Sequence, residues 1–202
     1  MASLPAIARL PSGPQGRAGA YAWLVFALSF GLLLSDYMSR QVLIAVFPLL
    51  KSEWQLTDAD LGLLSGVVAL AVGALTLPLS WAADRWGRIA SLTAMAILWS
   101  LATLLCAFAQ EYDHMLAGRV LVGVGEAAYG SVGIAVVISV FPASLRATLT
   151  ALFLAGSLVG QVTGIALGAY VAELFGWRAA FAAMGLFGLV LGLVYPIVAT
   201  ER

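Results

Sequence analysis

Between residues 21 and 199 the sequence falls into six apolar stretches separated by short polar punctuation. A helix needs about 20 apolar residues to cross the roughly 30 Å hydrocarbon core of a bilayer. Each stretch meets that length: about 21–50, 61–82, 89–109, 115–140, 147–174 and 179–199. Hydrocarbon offers no hydrogen-bond partners to the backbone, so an apolar crossing of this length must be helical. The composition agrees, with 62% hydrophobic and only 10% charged residues against about 25% charged in soluble domains. Six spans fill the 202 residues and leave no room for a soluble domain. The chain is therefore expected to be an all-α membrane protein whose solvent and first partner is the lipid bilayer. Ten Lys+Arg balance ten Asp+Glu, so no nucleic-acid partner is expected.

The punctuation fixes the remaining organisation. Residues 1–20 carry Pro5, Pro11, Pro14, Arg9 and Arg17 without a continuous apolar core; they read as a disordered cytoplasmic tail rather than a cleaved signal. Residues 21–202 form the transmembrane domain. Thr57 or Asp58 is a suitable N-cap for the second span, and Pro142 breaks the chain between the fourth and fifth. With the N-terminus inside, the inner segments hold Arg9, Arg17, Arg85, Arg88, Arg146 and Arg202, and the outer loops only Lys51 and Arg178. The positive-inside rule then gives an N-in, C-in multi-pass protein of the cell membrane.

The same inventory excludes several chemistries. Cys106 is the only cysteine and reads as a packing residue, and His114, the only histidine, lies in a loop. No nucleophile–base pair, metal cluster or phosphate-binding loop is present, so no enzyme activity, catalytic residue, metal or cofactor is expected. Gly156, Gly160, Gly164 and Gly168 recur at every fourth position of the fifth span. They make a ridge without side chains on which another helix packs closely; a sliding seam is the sharper alternative.

Four ionisable residues lie inside the spans: Asp36 and Arg40 in the first, Arg119 and Glu126 in the fourth. A charge at the bilayer centre costs at least about 2.5–3.5 kcal/mol, so such residues face a bundle interior or a wet cavity. Asp36 and Arg40 share a helix face at i,i+4, and Arg119 and Glu126 share one at i,i+7. If the two spans line one cavity, two acids and two bases converge there, as a site for a proton or a charged substrate. The bland alternative is two intrahelical ion pairs that hold the bundle together. Glu126, farther along its helix from Arg119 than Asp36 is from Arg40, is the candidate titrating group. Its glycine-rich setting, Gly123-Val124-Gly125-Glu126, suggests thin packing that admits water.

The turn after the second span, Ser80-Trp81-Ala82-Ala83-Asp84-Arg85-Trp86-Gly87-Arg88-Ile89, resembles the G-x-x-x-D-R-x-G-R-R/K loop of the major facilitator superfamily. Ser80 replaces the first glycine and Ile89 the last basic residue. The resemblance implies that Asp84, Arg85, Gly87 and Arg88 form a cytoplasmic latch between two halves. Arg119-Val120-Leu121-Val122-Gly123-Val124-Gly125-Glu126-Ala127 resembles the R-x-x-x-G-x-G-E-A signature of spinster-like transporters. Trp99-Ser100 and Gly176-Trp177-Arg178 also fit that branch, whereas Tyr37 stands where relatives often carry Arg. The organic-anion and sugar-acid symporters share Glu-Ala here but follow it with a proline-containing run that Ala128-Tyr129-Gly130 lacks.

The resemblance implies one six-helix half built as a 3+3 inverted repeat. In such transporters a first-helix Asp and a fourth-helix Arg and Glu serve proton coupling and substrate binding, roles that map onto Asp36, Arg119 and Glu126, with Arg40 as the added charge. The expected function is secondary active transport of a small organic or amphiphilic solute by alternating access. The alternatives are a non-transporting fragment or structural subunit, and the organic-anion branch. Because the superfamily builds its pathway between two halves, a second six-helix half is an expected partner, either another copy or a missing C-terminal half.

Overall fold

A computed structural model describes residues 19–199; most of the expected N-terminal tail, with Arg9 and Arg17, and the last three residues, with Arg202, lie outside the described residues. Within them the chain is helical and forms no strand. The helices are α1 (Ala20–Ala45), α2 (Phe47–Trp54), α3 (Asp58–Trp86), α4 (Arg88–Ala107), α5 (Tyr112–Glu126), α6 (Tyr129–Val140), α7 (Ala143–Phe175) and α8 (Trp177–Val198). Six are long and apolar enough to cross a membrane: α1, α3, α4, α5 with α6 taken as one span, α7 and α8.

Local chemistry explains the ends. The first apolar stretch breaks at Val46, and Pro48 sits in the first turn of α2, where its missing N–H leaves no gap. Gln55 then takes a left-handed conformation with φ of 53°. Thr57, one of the two expected caps, starts α3: its hydroxyl accepts from the Asp60 N–H at 3.2 Å, and Asp60 accepts from the Thr57 N–H at 2.9 Å. This reciprocal pair satisfies two backbone donors that a helix start otherwise leaves bare.

The turns between α3 and α4 and between α7 and α8 are each one glycine long. Gly87 has φ of 94° and Gly176 φ of 85°, a region that side-chain-bearing residues rarely adopt. The two turns fall at the same place in the first and second groups of three spans. Packing repeats this relation. Span one packs on five, two on four, three on six, three on four and one on six. Exchanging the first three spans with the last three maps this set of neighbours onto itself.

The glycine ridge of α7 lies along α1. A Cβ at Gly160 would stand 2.9 Å from the Leu34 carbonyl, and one at Gly164 2.7 Å from the Met38 Cα. The two backbones thus approach where any side chain would hold them apart. Buried apolar side chains form one core around Leu32, Trp99, Tyr129, Phe153 and Tyr195, and another around Leu43, Leu50, Leu64, Met115 and Phe181. The polar groups Ser35, Asp36, Ser39, Arg119 and Glu126 are buried as well. On α1, Asp36 falls between Leu33 of the first core and Met38 of the second.

Candidate functional site

The charged residues of the first and fourth spans meet. Arg40 Nε lies 2.7 Å from Glu126 Oε2 on the facing span and 3.5 Å from Asp36 Oδ1 one turn back on its own. One guanidinium nitrogen thus faces the carboxyls of both Asp36 and Glu126. The Glu126 side chain is 0% exposed and that of Asp36 5%, whereas Arg40 is 27% exposed. Arg40 therefore stands between two enclosed carboxyls and the open space beside α1. Its guanidinium also lies 5.5 Å over the Tyr37 ring, which gives this chain's departure at Tyr37 a contact: the ring faces the cation.

Arg119 does not pair with Glu126. Its Nη1 donates to the Ser39 carbonyl of α1 at 3.0 Å, deep in the bundle. Of the two intrahelical ion pairs of that alternative only Asp36–Arg40 forms, beside the cross-helix contacts of Arg40 and Arg119, because seven residues of helical rise, about 10 Å, separate Arg119 from Glu126 along their own span. The ranking of the carboxylates also reverses: Glu126, not Asp36, is the nearer partner of a guanidinium. Nor is the setting of Glu126 thinly packed. A Cβ at Gly125 would stand 2.6 Å from the Trp99 N, and one at Gly123 2.7 Å from the Ala71 Cβ. These glycines let α4 and α3 come close; they do not open space.

A cavity of about 160 Å³ adjoins the cluster, lined by Arg40, Gln41, Ile44, Ser65, Val68, Ala69 and Arg119. Both guanidiniums of the site line it, together with an amide and a hydroxyl. Gln41 Nε2 also reaches Gln161 Oε1 at 3.5 Å. Gln41, Ser65 and Ser39 escaped the sequence reading. The available signal was on α1, where Ser29, Ser35, Asp36 and Ser39 form a buried polar stripe among apolar residues.

Asp84, Arg85 and Arg88 lie exposed around Gly87, and Arg85 stacks 3.8 Å over the Trp81 ring. At the other end of the bundle, Glu53 of α2 accepts from Trp177 Nε1 at 2.6 Å and from Arg178 Nη1 at 3.0 Å. Arg178 Nη2 donates in turn to the Ala109 carbonyl at 3.1 Å. The Trp177 indole and, beside it, the Arg178 guanidinium hold the Glu53 carboxyl below its ordinary range.

A family model described as Major Facilitator Superfamily matches residues 28–201. The chain is 27% identical to Protein spinster of Drosophila melanogaster, an alignment covering 93% of this chain and 31% of that protein. It is 29% identical to the 4-hydroxybenzoate transporter PcaK of Pseudomonas aeruginosa, over 95% of this chain and 44% of that protein. With a Gallate transporter of Pseudomonas putida the identity is 31%, over 85% and 38%. Among solved structures, a bacterial homolog to the human lysosomal transporter Spinster, inward-facing and occupied, superposes with a TM-score of 0.84 at 23% identity, covering 92% of this chain and 46% of that one. The chain thus spans less than half the length of the relatives it matches.

Proposed function

This chain belongs to the major facilitator superfamily, and on that premise we propose that it is one half of a proton-coupled secondary transporter of the cell membrane, oriented N-in and C-in. The observation that carries the reading is the single guanidinium of Arg40 set against two enclosed carboxyls, Asp36 and Glu126. Arg119 is taken up by the Ser39 carbonyl, so the two carboxyls share one guanidinium in direct contact, and a proton on the pair relieves their mutual repulsion. Displacing Arg40 toward an anionic group in the adjoining cavity changes how firmly that proton is held. Substrate and proton are then coupled through one side chain, with no conformational step needed between them.

The cavity's two guanidiniums, Gln41 and Ser65 favour a solute with an anionic or strongly polar end, and its remaining lining, Ile44, Val68 and Ala69, favours an apolar body. Small organic acids and amphiphilic lipid-like molecules both answer that description. Asp84, Arg85, Gly87 and Arg88 serve as the latch toward a second six-helix half, and Gly156, Gly160, Gly164 and Gly168 hold α7 on the helix that bears Asp36 and Arg40. A site between helix repeats, near the middle of the span, is where this architecture binds its solutes.

The test is solute-evoked proton movement in liposomes containing the chain, with and without a second half supplied, read by an entrapped pH dye. Small aromatic acids and single-chain phospholipids are offered in turn. The expected result is a solute-dependent pH change in the wild type that Glu126→Gln abolishes. A solute flux that moves no protons, or proton movement that survives Glu126→Gln, would overturn the coupling.

A further inference from the structure

The fourth span is broken, and the break falls directly behind Glu126. Helix α5 ends at Glu126, Ala127 and Ala128 lie between, and α6 begins at Tyr129. Nothing in Ala-Ala opposes helix, since alanine is the best helix former. Gly125 before the break and the Gly130-Ser131 pair after it loosen the span there. What meets the break lies on α3. Thr76 Oγ1 is 2.7 Å from the Ala127 carbonyl and 2.5 Å from the Val72 carbonyl one turn back on its own helix. One turn farther along α3, Ser80 Oγ is 3.0 Å from Ser131 Oγ, which lies 2.9 Å from the Ala128 carbonyl. Ser131 spends its proton on Ala128, so Ser80 is the donor of the pair. The Ala127 carbonyl thus faces a hydroxyl of α3 directly, whereas the Ala128 carbonyl accepts from Ser131 of its own span and keeps its regular bond from the Val132 N–H at 3.1 Å; α3 reaches it only through Ser131.

From this we infer that Thr76 and Ser80 are positioning residues: a two-rung hydroxyl brace, Thr76 on the Ala127 carbonyl and Ser80 on the Ser131 hydroxyl beside it, that holds the fourth span open after Glu126 and so aims its carboxyl at Arg40. A side-chain hydroxyl that takes a helix carbonyl competes with the regular i+4 amide for it. Without the brace, Ala127 recovers the Ser131 N–H, the span closes into a continuous helix, and the last turn of α5 rotates Glu126 out of reach of Arg40. The brace also gives Ser80 a task. It stands where the superfamily turn carries glycine, one helical turn before Asp84, so movement of the latch turn is transmitted along α3 to both rungs.

This inference rests on the proton-site reading above, and its test separates the two. Dicyclohexylcarbodiimide reacts with protonated carboxyls in apolar surroundings, and mass spectrometry locates its adduct without need of a solute or a second half. The groups that face Glu126 are Asp36 and Arg40 of α1 and Arg119 of its own span; among the described residues α3 and α4 bring no charged side chain to it. In the purified full chain, labelling of Glu126 is expected to fall as pH rises. In Thr76→Val and in Ser80→Gly the profile moves toward higher pH by about one unit, because the carboxyl has lost its cation. Thr76→Ser, which keeps the hydroxyl, follows the wild type.

Variant profiles that superimpose on the wild type overturn the brace and leave the proton site standing, as does a Thr76→Ser profile displaced like that of Thr76→Val. A wild-type profile flat in pH removes the proton site and the brace with it. Should Thr76→Val fail to fold, Ser80→Gly and Thr76→Ser decide between these outcomes.

Discussion

Arg40 holds two carboxyls at once, and that sharing has a measurable stability signature. Removing one partner of a buried ion pair leaves an uncompensated charge and typically costs 3–5 kcal/mol. Arg40 is partly exposed, so Arg40→Gln is expected to destabilise the bundle by about 3 kcal/mol, the lower end of that range. The double variant Arg40→Gln with Glu126→Gln should recover most of the loss, since the carboxylate that Arg40 balanced is then gone. Thermal unfolding in detergent of both single variants and the double gives the interaction term directly. Additive losses would mean that the 2.7 Å contact contributes little and that Arg40 acts only toward the cavity.

At the scale of elements, α2 is pinned to the start of α8 by the contacts of Glu53 with Trp177 and Arg178, and Trp54 packs edge-on against Trp177 with ring centroids 5.3 Å apart. Because α2 follows α1 after a single residue, this clasp fixes the end of the helix that bears Asp36 and Arg40. Glu53 is held below its ordinary range by the Trp177 indole and the Arg178 guanidinium. A depressed carboxyl contributes stability above its unfolded value, about 4.3, and that contribution is lost as pH falls through the lower folded value. The clasp is thus closed at neutral pH and opens only once pH falls below the ordinary glutamate range. The near-ultraviolet circular dichroism of the Trp54–Trp177 pair should show this opening, and Glu53→Gln should remove the transition. A transition of equal size in Glu53→Gln would assign it to another group.

The elements also show where sequence reasoning reaches its limit. Six spans, the Thr57 start and the turns at Gly87 and Gly176 follow from local chemistry, because hydropathy, capping and positive φ act within a few residues. The meeting of Asp36, Arg40, Arg119 and Glu126 followed from helical spacing and antiparallel order. Their pairing did not, since it depends on how α5 is seated among its neighbours, and Gly123 and Gly125 set its approach to α3 and α4. A glycine in a helix reads equally as open space or as close contact; only the neighbour decides. The break at Ala127-Ala128 was illegible for the same reason, since the hydroxyls that meet Ala127 and Ser131 lie 51 residues away.

On the scale of the whole molecule, burial is unevenly divided among the spans. Within its most apolar window, α3 is only 17% buried, against 56% for α1 and 61% for the fourth span. Its uncovered side carries Gly62, Gly66 and Gly73, none of which has a neighbour within 4 Å of an added Cβ. Residues 62, 66 and 73 are spaced by four and seven and so share one helical face. Lipid gains nothing from a small-residue face, because bilayer association is driven by close packing between helices rather than by apolarity. That face is the one expected to receive a helix of the proposed second six-helix half.

Gly66→Leu places a branched side chain on this face, where an added Cβ meets no atom of its own bundle within 4 Å. It is expected to lower association with a second half several-fold while leaving thermal unfolding of the single half unchanged. Mass measurement in detergent reads the association: pairs of the 21.1 kDa chain identify a second copy as the partner, and pairs formed only when a separate half is co-expressed identify that half. Association that is indifferent to Gly66→Leu would place the contact on another face of the bundle. Asp84 and Arg85 lie at the end of this same helix, so the proposed partner face, the proposed hydroxyl brace and the proposed latch turn are parts of one continuous element.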